Sequence, residues 1–206
     1  MLDYVSGAVR VSLVTFVLCG FAYPFAITGI GQLVMPYQAN GSVLESADGR
    51  IIGSQLIGQQ WNDPQWFHGR PSATVAPDPK DPTKNVDAPY NAANTTASNL
   101  GPTSSALQDR LTADRKALED AQPELAGKLL PSDMLTTSGS GLDPDITPAN
   151  ASLQVARIAK ARDVPPGQIA ALVEQHTTPR SLWIFGEPRV NVLELNLALE
   201  KAFPKK

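Results

Sequence analysis

The lack of charge near the N-terminus constrains this chain more than any other feature. No charged residue stands between Arg10 and Glu45, and Val11–Leu33 is almost continuously apolar. About 22 helical residues are about 33 Å long, which matches the hydrocarbon core of a bilayer. We therefore predict a transmembrane helix over residues 11–33, after a short cytoplasmic N-terminus (1–10) and before an extracytoplasmic domain (34–206).

Two kinds of cleaved signal are the alternatives to a retained helix. A signal peptide has a shorter apolar region, followed by a cleavage site between small residues. A lipoprotein signal needs a small residue before Cys19, and Leu18 stands there. The sequence therefore favours a retained helix. Arg10 and the amino terminus precede it, which favours a cytoplasmic N-terminus, although Asp3 partly offsets their charge.

The predicted membrane helix contains small residues and a proline. Gly20 and Gly29 would let another helix approach closely, and Pro24 should kink the helix or open its hydrogen bonds. One interpretation is a plain anchor that tolerates these residues. The other is a helix packed against further membrane helices, with Gly20, Pro24 and Gly29 as candidate contacts.

The pattern after the membrane helix predicts an α+β domain. A turn at Asp48-Gly49 between two short apolar runs indicates a β-hairpin, and Ser181–Phe185 is typical of a strand. Residues 76–105 are rich in polar residues and proline without periodicity, so we expect an irregular loop that is mobile or ordered by a partner. Apolar spacing, capping residues and prolines predict four helices, around Leu107–Leu118, from Thr147-Pro148, after Pro165-Pro166 and from Asn191.

Composition excludes several classes of function. The chain has 17 Lys and Arg against 20 Asp and Glu, so its formal net charge of −3 gives no reason to expect a nucleic-acid partner. The two histidines, His68 and His176, do not form a metal-ligand pattern. Cys19 is the single cysteine and lies in the apolar run. We predict no metal site, no covalently bound cofactor and no catalytic residue.

A serine- and glycine-rich loop, residues 138–144, is the first candidate site. It is not a nucleophile elbow, because Ser138 and Leu142 stand where that motif needs glycines. One interpretation is a backbone device in which the glycines permit an unusual path and Asp143-Pro144 starts a turn. The other is a loop that faces a ligand or a partner, with these candidate residues: Ser138, Gly139, Ser140, Gly141 and Asp143.

A polar and aromatic stretch forms the second candidate site. Phe67, His68 and Arg70 are close together in a segment that also contains Trp66, Gly69 and Pro71. This stretch is either a piece of core followed by a turn or a surface that contacts a partner. The sequence alone leaves both interpretations open.

Seven segments in order resemble one family. Each is weak alone, but together they cover nearly the whole chain. The family is the C subunit of the bacterial Kdp potassium-transporting P-type ATPase. The segments are Tyr23-Pro24, residues 36–42 (PYQANGS), 53–59 (GSQLIGQ), 67–72 (FHGRPS), 98–101 (SNLG), 138–143 (SGSGLD) and 190–199 (VNVLELNLAL).

The resemblance implies an accessory, non-catalytic subunit of an ATP-driven complex for high-affinity potassium uptake in the bacterial inner membrane. Its implied partners are a channel-like potassium-binding subunit, a P-type subunit that hydrolyses ATP and a small helical subunit, besides the membrane lipids. The resemblance also implies a role in assembly and in ATP binding as a catalytic chaperone. The residues themselves contain no standard phosphate-binding loop, so ATP is expected from the resemblance only.

Two further functions stay open on the residues alone. A membrane-anchored extracytoplasmic hydrolase could use Ser138 or Ser140, but its base would have to be His68 or His176. A cell-wall ligand-binding module would need no catalytic group and no complex.

Overall fold

The chain forms two compact units that divide between Ser54 and Gln55. The computed structural model describes residues 2–46 and 48–204. The first unit consists of a long apolar helix and a short hairpin, and the second contains the remaining helices and strands.

The apolar N-terminal segment is helical, as predicted. It consists of α1 (Leu2–Val17), a π-helical turn (Leu18–Ala22) and α2 (Tyr23–Val34). Within it, Asp3–Val34 is 32 residues long and apolar enough to cross a membrane, by length and composition. The polar group of Thr15 is satisfied inside the helix, because its hydroxyl donates to the carbonyl of Val11 at 2.8 Å. The prediction of one N-terminal helix that could span a bilayer is confirmed.

Pro24 explains the π-helical turn. Proline has no amide hydrogen, and its ring collides with the carbonyl four residues earlier. The helix widens just before Pro24, and the amide of Tyr23 donates to the carbonyl of Leu18, five residues back. The prediction that Pro24 opens the hydrogen bonds of this helix is confirmed.

A hairpin follows the apolar helix within the first unit. The short helix α3 (Pro36–Ala39) ends in a turn at Gly41, where φ is +87°. Strand β1 (Val43–Glu45) then pairs antiparallel with β2 (Ile51–Ser54). The predicted hairpin is therefore confirmed.

The second unit mixes helices with short strands. Two 3₁₀ turns lie at Pro123–Leu125 and Ser132–Met134. All four predicted helices are present, and the mixed helix-and-sheet class is confirmed. The helices are α4 (Ser105–Ala121), α5 (Pro148–Arg162), α6 (Pro166–Gln175) and α7 (Val192–Ala202); the strands are β3 (Val75–Pro77), β4 (Asn85–Asp87), β5 (Asp145–Ile146), β6 (Thr177–Thr178) and β7 (Arg189–Asn191).

Two helix starts use the capping residues that the sequence predicts. The Thr147 hydroxyl accepts from the amide of Asn150 at 3.1 Å, at the start of α5. The Asn191 side chain accepts from the amide of Glu194 at 3.1 Å, at the start of α7. Each contact satisfies an amide that has no partner within its helix.

The core lies where α5, α6 and α7 meet a three-stranded antiparallel sheet of order β5-β7-β6. The buried apolar residues of each helix recur at helical spacing and form its inward face. Phe67, which lies between β2 and β3 in the chain, is buried among them. Residues fully buried in this core include Phe67, Ala151, Ile158, Ile169, Val190, Leu195 and Leu199.

Two predictions about the second unit need correction. Ser181–Phe185 is not a strand; it lies in the connection between β6 and β7, where Ser181 and Phe185 pair with each other instead of with a neighbouring strand. Residues 76–105 are not irregular throughout, because β3 and β4 form an antiparallel hairpin at their start. No helix or strand lies in residues 88–104, which the structure describes in full.

Two buried side-chain amides hold the segment around Phe67 in place. Asn196 of α7 accepts from the amide of Phe67 at 2.8 Å and donates to its carbonyl at 3.0 Å. Gln154 of α5 does the same for His68, at 2.8 and 3.0 Å. The amides replace a neighbouring strand, so an extended segment is buried without losing its backbone hydrogen bonds.

Replacing Asn196 should therefore destabilise the second unit strongly. Asn196→Leu keeps the branched shape of the side chain but leaves the amide and carbonyl of Phe67 buried without partners. We expect the free energy of unfolding to fall by about 2–5 kcal/mol. Thermal and urea unfolding of the full chain in detergent would measure this change. Asn62→Leu, at an exposed asparagine, is the control, and equal stability of the two variants would contradict the assignment.

Candidate functional site

The structure brings the two candidate sites of the sequence together. The Arg70 guanidinium donates from Nη1 to the Asp143 carboxylate at 3.0 Å. Its Nη2 donates to the carbonyl of Thr137 at 3.2 Å and to the hydroxyl of Thr136 at 3.3 Å. Arg70 therefore binds the serine- and glycine-rich loop from both ends, and the two motifs form one site.

Two hydroxyl groups connect this site to the segment after β4. The Ser72 hydroxyl donates to the carbonyl of Gly141 at 2.7 Å and accepts from the amide of Tyr90 at 3.0 Å. The Thr74 hydroxyl donates to the carbonyl of Ala88 at 2.6 Å and accepts from the amide of Asn91 at 3.0 Å. These bonds order a segment that has no helix or strand of its own.

The serines of the loop bond to the loop itself. The hydroxyl of the buried Ser138 accepts from the amide of Gly141 at 2.9 Å. The hydroxyl of Ser140 accepts from the amide of Leu142 at 3.1 Å. Both amides are thus used inside the loop, and they do not point toward a ligand.

The backbone conformation and the close packing of the loop require glycine at position 141 but not at position 139. Gly141 has φ of +70°, and a Cβ there would lie 2.5 Å from Cγ2 of Thr74 and 2.8 Å from the carbonyl oxygen of Thr96. A Cβ on Gly139 would meet nothing within 4 Å. The expectation that the glycines permit an unusual backbone path therefore holds for Gly141 alone.

Tyr90 closes the site from the side of the hairpin β3–β4. Its hydroxyl donates to the carbonyl of Arg70 at 2.7 Å. Burial raises the pKa of Tyr90 to about 12, and the negative charge of Asp143 adds to this effect. Tyr90 therefore remains a protonated donor at neutral pH. Gly69 makes room for it, because a Cβ there would lie 2.4 Å from the Tyr90 oxygen.

A cavity of about 420 Å³ lies beside these residues, with Trp61, His68, Arg70 and Tyr90 in its wall. The Arg70 guanidinium is already paired with Asp143 and the loop. The wall therefore offers aromatic faces more than free charges, which suits packing better than the binding of an anion.

His68 lies between the cavity and α5, in surroundings that disfavour its charged form. Its Nε2 lies 3.1 Å from the carbonyl of Asp63 and 3.5 Å from Nη1 of Arg157. Burial lowers the pKa of His68 below its ordinary value, and the positive charge of Arg157 lowers it further. Burial also lowers the pKa of Arg157 to about 10, so this guanidinium stays charged at neutral pH.

The histidines do not serve the serines as bases. His68 bonds as described above, and Nδ1 of His176 lies 2.9 Å from the carbonyl of Leu172 within its own helix. The hydroxyls of Ser138 and Ser140 accept amide hydrogens of their own loop. Within residues 2–46 and 48–204, no serine–histidine pair and no group of three metal-ligating side chains lies at this site.

The buried residues that support the site from the protein interior were not predicted from the sequence. Asn196 and Gln154 lie on apolar helix faces, which is the one sequence signal that could have revealed them. Asp133 is buried and accepts from the amide of Thr147 at 2.7 Å, next to the start of α5. A carboxylate is stabilised at that end of a helix. Tyr90 stands in a segment that the sequence leaves unassigned.

The candidate contacts with other membrane helices lie in the apolar helix of the first unit. Gly20 is within the π-helical turn, Pro24 follows it, and Gly29 is in α2. A Cβ on Gly29 would meet nothing within 4 Å. Their role as contacts stays a prediction.

The described part of the chain contains one candidate membrane helix and a unit of mixed helices and strands. The loops that form the site in this unit are hydrogen-bonded to one another. Comparison with known proteins identifies the family of the chain. The family described as "KdpC: K+-transporting ATPase, c chain" matches residues 5–201. The chain therefore belongs to the KdpC family. This is the family that the seven sequence segments resemble.

Relatives match over the full length. The chain is 53% identical over 205 residues to the potassium-transporting ATPase KdpC subunit of Bradyrhizobium diazoefficiens, which is 100% of both chains. The KdpC subunit of Rhodopseudomonas palustris strain CGA009 is equally similar, at 53% over 205 residues and 100% of both chains. That of Methylobacterium nodulans is 50% identical over 201 residues, 98% of both chains.

The two loop glycines provide a matched pair of variants. Gly141→Ala places a Cβ against Thr74 and strains the positive φ, so we expect a loss of about 1–3 kcal/mol in the free energy of unfolding. Gly139→Ala should change it by less than about 0.5 kcal/mol. Urea unfolding of the full chain in detergent compares them, and a larger effect at Gly139 would show that the loop path is assigned wrongly.

His68 should make the stability of the second unit depend on pH. The unfolded chain protonates this histidine near its ordinary pKa of about 6.5, whereas the folded chain does so only at lower pH. The free energy of unfolding is thus unaffected by His68 above that value and falls as the pH drops below it. His68→Gln should flatten the decline between about pH 7 and about pH 5. Equal slopes for both proteins in thermal unfolding would contradict this.

Proposed function

We propose that this chain is the accessory, non-catalytic subunit of an ATP-driven complex for high-affinity potassium uptake, and that it supports assembly of the complex. The observation that carries the proposal is the match to the KdpC family over residues 5–201, nearly the whole chain. The site geometry agrees with it, since the loop residues bond to one another and present no base to either serine.

The proposed location is the bacterial inner membrane. The candidate span Asp3–Val34 supports a single pass. The cationic residue Arg10 precedes the most apolar part and supports a cytoplasmic N-terminus. The second unit then lies outside the cytoplasm.

The proposed partners are the other subunits of the complex: a channel-like potassium-binding subunit, a P-type subunit that hydrolyses ATP and a small helical subunit. Gly20, Pro24 and Gly29 are proposed as contacts with membrane helices of these partners, since small residues permit close approach. Phe67 is not available for a partner, because it is fully buried. The Arg70 side chain is bonded to Asp143, so it positions the loop.

ATP binding, which the resemblance implies, does not fit the serine- and glycine-rich loop. A phosphate group is bound by free amides or by Lys and Arg side chains. The amides of Gly141 and Leu142 are bonded to serine hydroxyls, and Arg70 is paired with Asp143. We therefore assign no nucleotide contact to residues 138–143.

Growth at low external potassium tests the proposed function. In a strain that lacks its other potassium uptake systems, deletion of this chain should abolish growth, and the wild-type chain should restore it. Ser140→Ala should restore it as well, because the exposed hydroxyl only accepts one amide hydrogen.

Two results would count against the proposal. Undiminished uptake in the deletion strain would remove the accessory role. Loss of uptake with Ser140→Ala, in a complex recovered at normal yield, would favour the hydrolase or ligand-binding alternative.

A further inference from the structure

The connection between β6 and β7 exposes four consecutive apolar side chains. Trp183 is 93% exposed, and Leu182, Ile184 and Phe185 are also largely exposed. An exposed cluster of this kind marks a surface that contacts another molecule. No other run of four consecutive, largely exposed, large apolar residues occurs in the part of the second unit that the structure describes.

The backbone holds this cluster in one defined shape. The amide of Ser181 donates to the carbonyl of Phe185 at 2.8 Å, and the amide of Phe185 donates back to Ser181 at 2.9 Å. Leu182 and Trp183 adopt positive φ values of 52° and 67°. Bulky residues avoid this left-handed backbone conformation, so the turn that exposes their side chains is strained.

The base of the turn is electrically neutral. Arg180 pairs with Glu187 at 2.5 Å, directly across the turn. Arg189 pairs with Asp145 at 3.1 Å. Loops that insert into an anionic lipid surface carry unpaired Lys and Arg around their apolar tip. The paired charges here favour a protein surface instead.

We infer that the Leu182–Phe185 turn is a docking knob that inserts into an apolar pocket on the extracytoplasmic face of another subunit of the complex. This inference rests on the proposed function. A fluid bilayer accepts apolar side chains in any conformation, whereas a shaped pocket rewards a turn that is fixed before binding. Tryptophan is also one of the side chains enriched at the centre of such contacts.

A photo-crosslinking amino acid at position 183 tests the inference directly. p-Benzoylphenylalanine replaces Trp183 in the full chain, which is expressed with the other subunits and crosslinked in intact membranes. The control places it at Leu129, which is 94% exposed in the same unit. We expect a covalent product with another subunit from position 183, at least about fivefold stronger than from position 129.

The truncation Trp183→Ala provides a second measurement. We expect the amount of this chain that stays with the complex during detergent washing to fall at least about fivefold. Leu129→Ala should leave it unchanged. Thermal unfolding of both variants should match the wild type, because both side chains are exposed in the chain alone.

The outcomes separate the knob from the proposed function. Crosslinks from position 183 to lipid only, to a second copy of this chain, or to nothing would overturn the inference, provided that the wild-type chain co-purifies with the other subunits. Failure of the wild-type chain to co-purify would contradict the proposed function and the inference together.

Discussion

The fold of the second unit depends on hydrogen bonds between two side-chain amides and the backbone of Phe67 and His68. Asn196 and Gln154 take the place of a neighbouring strand, so the segment can pass through the core without unpaired amides and carbonyls. This places Phe67 among α5, α6 and α7 and fixes the direction in which the chain continues. Arg70 and Ser72 can reach the serine- and glycine-rich loop because Phe67 and His68, which precede them in the segment, are fixed.

The site that results is made of loops that bond to one another. Side chains of Arg70, Ser72, Thr74 and Tyr90 bind backbone groups of segments that have no regular structure. Each bond restores a partner that a helix or strand would otherwise provide. Such an arrangement gives the surface a fixed shape, and it agrees with the accessory role proposed for this chain.

The sequence predicts the features that depend on neighbouring residues better than it predicts contacts between residues far apart in the chain. The apolar N-terminal helix, the hairpin at Asp48-Gly49 and the caps Thr147 and Asn191 depend on neighbours within a few residues, and the sequence predicts them. The contact between Arg70 and Asp143 joins residues 73 apart, and no spacing rule reaches that far. The sequence wrongly predicts a strand at Ser181–Phe185 because apolar runs favour strands, and nothing local shows that the two ends of this run pair with each other.

The π-helical turn changes how the faces of the apolar helix must be read. α1 and α2 each rotate by about 100° per residue, but the wider turn between them shifts the faces of α2 relative to those of α1. Phe16 and Phe21 contact each other across five residues, whereas Phe21 and Phe25 do so across four. A helical wheel drawn through the whole segment therefore places the residues after Ala22 at the wrong angle. The helix has two registers, and any map of its neighbours has to be drawn separately for α1 and for α2.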